Sequence, residues 1–324
     1  MSKIKSALLA LAVASLLAGC ASAATPTLQA FEGITPACAS FKGGKEIDDV
    51  KVTAEKATVP TVSFVTNPVG SATKTPLASI KESQTRIIRQ GEGPTFTGNQ
   101  LIKLEFAVFS STTGVLLGSS KFDGTDAASQ LFDNGNSKIY CDALSGVKEG
   151  SLAVFATPSS ETDPEGSLFV VEIVKVYLPW ANGPVLSPES GFPKVVRDPK
   201  THQPGLMAPS FSAPSEFKRS ILIEGRGEKV AIGDSVTVNY VGWVWSEPIG
   251  SEFESSWKSG LPATFTLVDD QMIKGFVKAL DGVKVGSQVI AILPPADAYG
   301  ESGTGSIPAN STLIFVIDVL GINK

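Results

Sequence analysis

The sequence predicts an α+β fold built twice, each copy an antiparallel sheet wrapped around one short helix. Three observations point there. The chain's 31 Gly and 21 Pro punctuate short apolar runs, a pattern of β-rich domains rather than helical bundles. Three segments recur in the same order along the chain. Strand-like alternation is broken by a stretch with helical spacing. A length of 324 residues suits about two domains, and a composition that is 42% hydrophobic is enough to give each a core.

The repeat comes first, because internal repetition decides the architecture. Ile-Ile-Arg-Gln-Gly-Glu-Gly at 87–93 matches Ile-Leu-Ile-Glu-Gly-Arg-Gly at 221–227. Ala-Leu-Ser-Gly-Val-Lys-Glu-Gly-Ser at 143–151 matches Ala-Leu-Asp-Gly-Val-Lys-Val-Gly-Ser at 279–287. Leu-Phe-Val-Val-Glu-Ile-Val at 168–174 matches Ile-Phe-Val-Ile-Asp-Val-Leu at 314–320. The offsets are 134, 136 and 146, so the first copy lacks about ten residues before its last strand.

The elements follow. Val236, Val238 and Tyr240 alternate with Thr237 and Asn239, which predicts a half-buried strand. In the first copy Ile102, Leu104 and Phe106 alternate with Lys103 and Glu105. Phe276, Ala279 and Leu280 fall at i, i+3 and i+4, on one face of a short helix over 273–280. Gly282 is its natural stop. Residues 179–210 are rich in Pro, Gly and Ser and read as a partly extended linker. Within it, Gly-Phe-Pro-Lys-Val-Val-Arg at 191–197 is a candidate extra strand for the second copy, and a similar run at 59–65 precedes the first.

The N-terminus reads as an export signal. Lys3 and Lys5 precede an apolar stretch over 7–18 that is too short to span a bilayer. It ends in Leu17-Ala18-Gly19-Cys20, which resembles a bacterial lipobox. That resemblance implies cleavage before Cys20 and lipidation of its thiol. Two or three acyl chains give stable anchoring to the outer face of the cell membrane. The alternative is an ordinary leader cut after Ala21-Ser22-Ala23. With Cys20 lipidated, Cys38 and Cys141 remain, and an even pair in an oxidising compartment points to one disulfide. Two separate buried thiols are the other reading. The layout is therefore a signal peptide (1–19), a tether (20–46), a first domain (47–178), the linker (179–210) and a second domain (211–324).

Several classes drop out. The formal charge is −5, with no basic stripe, so no nucleic-acid partner is expected. There is no cluster of His or Cys, so neither a metal nor a cofactor is expected. His202 is the only histidine. Lying in the Pro-rich segment, it reads as a solvated linker residue rather than a catalytic base.

The second copy carries a specific resemblance. Val-Thr-Val-Asn-Tyr-Val-Gly-Trp at 236–243, Phe-Glu-Ser-Ser-Trp at 253–257, Ile-Lys-Gly-Phe-Val-Lys-Ala-Leu at 273–280, Pro294-Pro295 with Ala298-Tyr299-Gly300, and Ile307-Pro308 through Thr312-Leu313-Ile314-Phe315 come in the order of a known family. Over about 100 residues they resemble the FK506-binding proteins, which are peptidyl-prolyl cis-trans isomerases. Two such domains in tandem resemble exported actinobacterial lipoproteins. The resemblance implies a pocket lined by Tyr240, Phe253, Ile273, Phe276, Tyr299 and Phe315, with Met272 and Ile307 at its rim. Phe276 would be the floor under a proline ring. The Tyr299 hydroxyl and the Ile273 N–H would hydrogen-bond the peptide, and Glu254 would stand near the amide carbonyl. The implied ligands are proline-containing polypeptides and macrolides of the FK506 and rapamycin type.

Several positions depart from the family pattern. Phe276 stands where tryptophan is commonest, Glu254 where aspartate is usual, Ser259 where a basic partner for that acid is often found, and Ala263 where an aromatic often sits. The loop over 301–306 lacks the histidine of some members. In the first copy Phe106 replaces the pocket tyrosine, Leu117 the phenylalanine and Gly118 the acid, while Tyr140 takes the floor. The loop bearing Tyr299 has no counterpart there. The expectation is a second domain that isomerises prolyl bonds of exported proteins and a first domain of the same fold without that activity. The competing readings are a non-catalytic peptide-binding scaffold and a surface adhesin.

Overall fold

The computed structural model describes residues 26–40, 42–65, 77, 80–161, 163–246 and 252–323. Cys20 and the leader lie outside them. Among the described residues no helix is long and apolar enough to cross a membrane.

The described residues begin with α1 (Pro26–Ala30), α2 (Lys45–Asp48) and a hairpin of β1 (Val50–Thr53) and β2 (Thr61–Phe64). The first sheet comprises β3 (Gln84–Arg89), β4 (Gln100–Ser110), β5 (Leu116–Ser119), β6 (Ala128–Phe132), β7 (Leu152–Ala156) and β8 (Ser167–Val176), with α3 (Lys138–Leu144) before β7. A second hairpin, β9 (Val195–Arg197) and β10 (Pro204–Leu206), precedes the second sheet. That sheet comprises β11 (Lys218–Ile223), β12 (Ser235–Val244), β13 (Glu252–Ser255), β14 (Ala263–Thr266), β15 (Gln288–Leu293) and β16 (Leu313–Asn323). Helix α4 (Ser256–Ser259) follows β13, and α5 (Lys274–Leu280) precedes β15.

The two sheets share one topology. Strand order is β3-β7-β8-β4-β5 in the first and β11-β15-β16-β12-β13 in the second, with β6 and β14 paired to β4 and β12. All ladders are antiparallel, and the registers correspond: Phe106 faces Val171 as Tyr240 faces Ile317. The repeated motifs hold this geometry. The N–H of Gly91 donates to Ser151 Oγ at 2.8 Å, and that of Gly225 to Ser287 Oγ at 2.9 Å. A Cβ at Gly225 would lie 2.3 Å from the Val285 carbonyl, and one at Gly91 2.1 Å from that of Glu149. Glycine is required at both.

On the inner face of the second sheet, Phe276, Ala279 and Leu280 of α5 are buried. Gly275 lets the helix lie against β15, since a Cβ there would meet Leu293 at 2.3 Å. The alternation in β12 predicted half-burial, but β12, β15 and β16 are buried on both faces. The reason is the linker. The 191–197 run adds no strand to the main sheet. It pairs with β10 instead, and Leu206, Phe192 and Val195 cover Val241, Trp243, Ile290 and Val316 on the outer face. The polar Thr237 and Asn239 are accommodated by hydrogen bonds to Thr264 and Ser256. In the first copy the β1–β2 hairpin does the same, with Val50, Val62 and Phe64 packed against Phe109, Val154 and Val170.

The linker is likewise docked rather than loose. The N–H groups of Leu178 and Asn182 donate to the carbonyls of Leu320 and Gly286, and that of Ala181 to the Asp318 carboxylate at 2.8 Å. Ala30 of α1 is buried in the second domain's core cluster, and Phe31 packs against both domains' inner clusters. His202 is not a freely solvated linker residue: its ring stacks on Trp180, centroids 3.9 Å apart. Cys38 and Cys141 are bonded, their Cα atoms 5.8 Å apart, which fastens the N-terminal segment to α3.

Candidate active site

The second sheet curls around α5, and a cavity of about 400 Å³ opens between them. Tyr240 comes from β12, Glu254 from β13, Phe276 from α5, Phe315 from β16 and Tyr299 from the β15–β16 connection. Met272 and Ile273 enter from the segment leading into α5. Phe276 is 2% exposed and forms the floor. Its ring meets those of Tyr240, Phe265 and Phe315 edge to face, at 5.9, 5.5 and 5.5 Å. This geometry lets each ring edge meet a neighbour's π-face, which favours a rigid apolar wall.

Two of the expected residues stand outside the lining. Phe253 sits behind Phe315, ring centroids 5.6 Å apart, and supports it. The two rings leave no room for a side chain at Gly242, where a Cβ would lie 2.5 Å from Phe253 and 2.9 Å from Phe315. Ile307 is buried in the core cluster, and its backbone pairs with that of Thr304 to brace the loop. Conversely, sequence reasoning passed over Phe265, Asp270 and Gln271, which line the cavity. Phe265 is two residues beyond Ala263 on β14. The period of two in a strand puts both on one face, so the aromatic missing at 263 is supplied at 265.

The polar groups gather on one side. Burial first, then the hydrogen bond and charge of Glu254, hold the Tyr240 phenol well above its ordinary pKa. Burial and the same carboxylate raise Tyr299. Both phenols therefore stay protonated donors. Lys258 pairs with Glu252 at 2.8 Å, not with Glu254. Among the described residues no Lys or Arg lies within ion-pair distance of Glu254. Ser259 instead donates its hydroxyl to the Ser256 and Leu261 carbonyls. The loop bearing Tyr299 is tied to α5 by the Lys278–Asp297 ion pair at 2.6 Å. Ile273 is the N-cap of α5, with extended backbone, so its N–H lies outside the helix ladder.

The first copy shows what the site consists of. Tyr140 occupies the Phe276 position, and register places Gly118 opposite Val108 as Glu254 is opposite Gly242. Phe155 replaces Ala291, as both face the equivalent phenylalanines Phe169 and Phe315. The connection before the last strand runs over 157–166, against 294–312 in the second copy.

Comparisons with known proteins bear on the family of the chain. Residues 226–320 match the model of the FKBP-type peptidyl-prolyl cis-trans isomerases. A probable FKBP-type peptidyl-prolyl cis-trans isomerase of Haemophilus influenzae is 32% identical over 224 residues, covering 66% of this chain and 84% of that protein. An FK506-binding protein of Streptomyces anulatus is 35% identical over 122 residues, 37% of this chain and 97% of the relative. The crystal structure of FkpA from Escherichia coli aligns with 34% identity over 35% of this chain and 51% of its own, at a TM-score of 0.31. The chain belongs to the FKBP-type peptidyl-prolyl cis-trans isomerase family.

Proposed function

We propose that the second domain catalyses cis-trans isomerisation of Xaa-Pro bonds in exported polypeptides, held at the cell envelope by a lipid on Cys20. One observation supports this above the others: the aromatic cavity floored by Phe276 and edged by Tyr240, Glu254 and Tyr299. The reaction needs no acid, base or metal. It rotates a partial double bond against a barrier of roughly 20 kcal/mol. Amide resonance separates charge, and water stabilises that planar, charge-separated form. A dry aromatic pocket withdraws this stabilisation and favours the twisted amide. Lowering the barrier by about 6 kcal/mol gives roughly four powers of ten in rate.

The residues divide the work. The proline ring rests on Phe276 between Tyr240 and Phe315. The Ile273 N–H and the Tyr299 hydroxyl hold the flanking peptide. Glu254, linked to the Tyr240 phenol, faces the amide side of the pocket, where its negative charge disfavours the planar, charge-separated amide relative to the twisted one. Macrolides of the FK506 and rapamycin type fit the same cavity as competitors.

The test is a proline-isomerisation assay on the full chain with Xaa-Pro tetrapeptides, alongside Phe276→Ala and Tyr240→Ala. Turnover should exceed background in the wild type and fall in both variants. Macrolide binding with no acceleration of isomerisation would replace this reading with that of a non-catalytic peptide-binding scaffold.

A further inference from the structure

The first domain has kept an aromatic cavity while losing the Tyr240 hydroxyl, the Glu254 carboxylate and the Tyr299 loop. It measures about 340 Å³ and occupies the same place in the sheet, between β4, β6, β8 and α3. Its walls include Phe106, Tyr140, Phe155 and Phe169. Phe155 and Phe169 stack at 4.6 Å, and Tyr140 meets both edge to face. No charged side chain lines it; the polar contributions are limited to Gln130, Ser137 and the Tyr140 hydroxyl. A volume of this size lies within the range of ligand sites.

A second, independent feature adjoins it. Strand β5 is the outer strand of the first sheet and is exposed along its whole length. Its run Val115-Leu116-Leu117-Gly118-Ser119 carries no charge and no proline, and Leu117 is 64% exposed. Free edges of this kind are normally blunted by Lys, Pro or a cover, because they template pairing with another strand. At Gly118 the wall that Glu254 forms in the second copy is absent, and nothing lies within 4 Å of a Cβ added there.

We propose that the first domain is a sequence-tolerant binding site for extended, uncharged segments of non-native polypeptides. The segment pairs with the β5 edge and inserts one large apolar side chain into the aromatic cavity through the opening at Gly118. Backbone pairing supplies affinity without sequence, and the cavity selects the apolar side chain. With no carboxylate and no Tyr299 loop, the bound segment is held and not isomerised. The inference concerns the first domain alone and does not depend on catalysis in the second.

The test uses the full chain and a neutral dansyl-labelled nonapeptide that alternates serine and valine around a central leucine. A twin peptide has serine at its centre. Neither contains proline, so the second domain's proposed ligand is missing. Wild type should bind the leucine peptide at least fivefold tighter than its twin. Gly118→Glu, which charges the opening, and Leu117→Lys, which guards the edge, should both abolish that preference, while Gly118→Ala keeps it. Tetrapeptide turnover should be the same in all four proteins. Equal binding of the two peptides by wild type overturns the proposal, as does a preference that survives both charged variants. Sedimentation showing a wild-type dimer that Gly118→Glu splits would assign the edge to a second copy of the chain and equally overturn it.

Discussion

Replacing Phe276 with leucine isolates the floor of the pocket. Leucine keeps the site apolar and of similar bulk, so the change deletes ring contacts rather than opening a large void. Three edge-to-face contacts disappear, to Tyr240, Phe265 and Phe315. At roughly 0.5–1.5 kcal/mol each beyond area burial, the loss is about 3 kcal/mol. If the same packed rings lower the barrier, an equal loss in the transition state reduces kcat/KM by about two powers of ten. The assay is tetrapeptide isomerisation in the cold, where the uncatalysed reaction takes minutes and a residual 1% of a ten-thousandfold acceleration is still measurable. Urea unfolding of the same preparation separates unfolding from lost chemistry. Tyr140→Leu makes the parallel change in the first copy and should leave kcat/KM unchanged. A folded Phe276→Leu protein within twofold of wild-type kcat/KM would refute the reasoning, as would an equal fall in Tyr140→Leu.

Other expectations follow from the same geometry. Gly242→Ala drives a Cβ to within 2.5 Å of Phe253, so it should cost about 1–3 kcal/mol of stability by overpacking and lower turnover through displacement of Phe315; denaturant midpoints and kcat/KM check both. Asp318 is fully buried, and burial raises its pKa from 3.8 to about 6 although Ala181 and Gln288 donate to it. The native state therefore binds the extra proton between those values, and stability falls as pH rises through this window, by about 3 kcal/mol in all. Asp318→Asn lacks this fall, so the difference in unfolding free energy between wild type and variant should shift by that amount from about pH 3 to about pH 8; a flat difference would contradict it. The Cys38–Cys141 bond closes a loop with a sequence separation of 103, so Cys38→Ser should destabilise the first domain by about 4–5 kcal/mol on a chain-entropy model without changing tetrapeptide turnover; calorimetry and the isomerase assay report the two separately.

How much of this was legible depended on whether a signal was local. The double fold was, because Gly91 and Gly225, Ser151 and Ser287, and the two Ala-Leu helix ends recur as short strings. The covering hairpins were legible by half. The runs at 191–197 and 59–65 read as candidate strands and hold β9 and β2, but their partners are only three or four residues long, and only the apolar outer faces of the finished sheets, such as Trp243 and Ile290, show why cover is needed. Phe265 is legible in the alternation Ala-Thr-Phe-Thr of β14, which sets it on the same face as Ala263. Ion pairing was hidden. Lys258 is closer in sequence to Glu254 than to Glu252, yet it pairs with Glu252, because a shift of register between Gly242 and Trp243 breaks the simple alternation of β13.

The two copies also separate what the fold needs from what the chemistry needs. The Tyr240 N–H donates to Ser256 Oγ at 2.9 Å, and the Phe106 N–H to Ser120 Oγ at 2.9 Å. The glycine and serine devices that set the sheet edges are likewise duplicated. Disrepair of the scaffold would first leave such buried groups unsatisfied, and here they are satisfied in both copies. The exchanges include phenylalanine for Tyr240, glycine for Glu254, Leu117 for Phe253, Tyr140 for Phe276, Gln130 for Phe265, Phe155 for Ala291, and a short connection for the Tyr299 loop. Together they remove the only carboxylate opposite Gly242 and the Tyr240 and Tyr299 phenols, while the cavity shrinks only from about 400 to about 340 Å³. A pocket that had merely lost its function would be expected to fill with its own side chains, since empty apolar space forfeits packing at no gain. The first copy instead keeps the space, strips it of charge and leaves an exposed strand edge beside it, an arrangement suited to holding an extended chain.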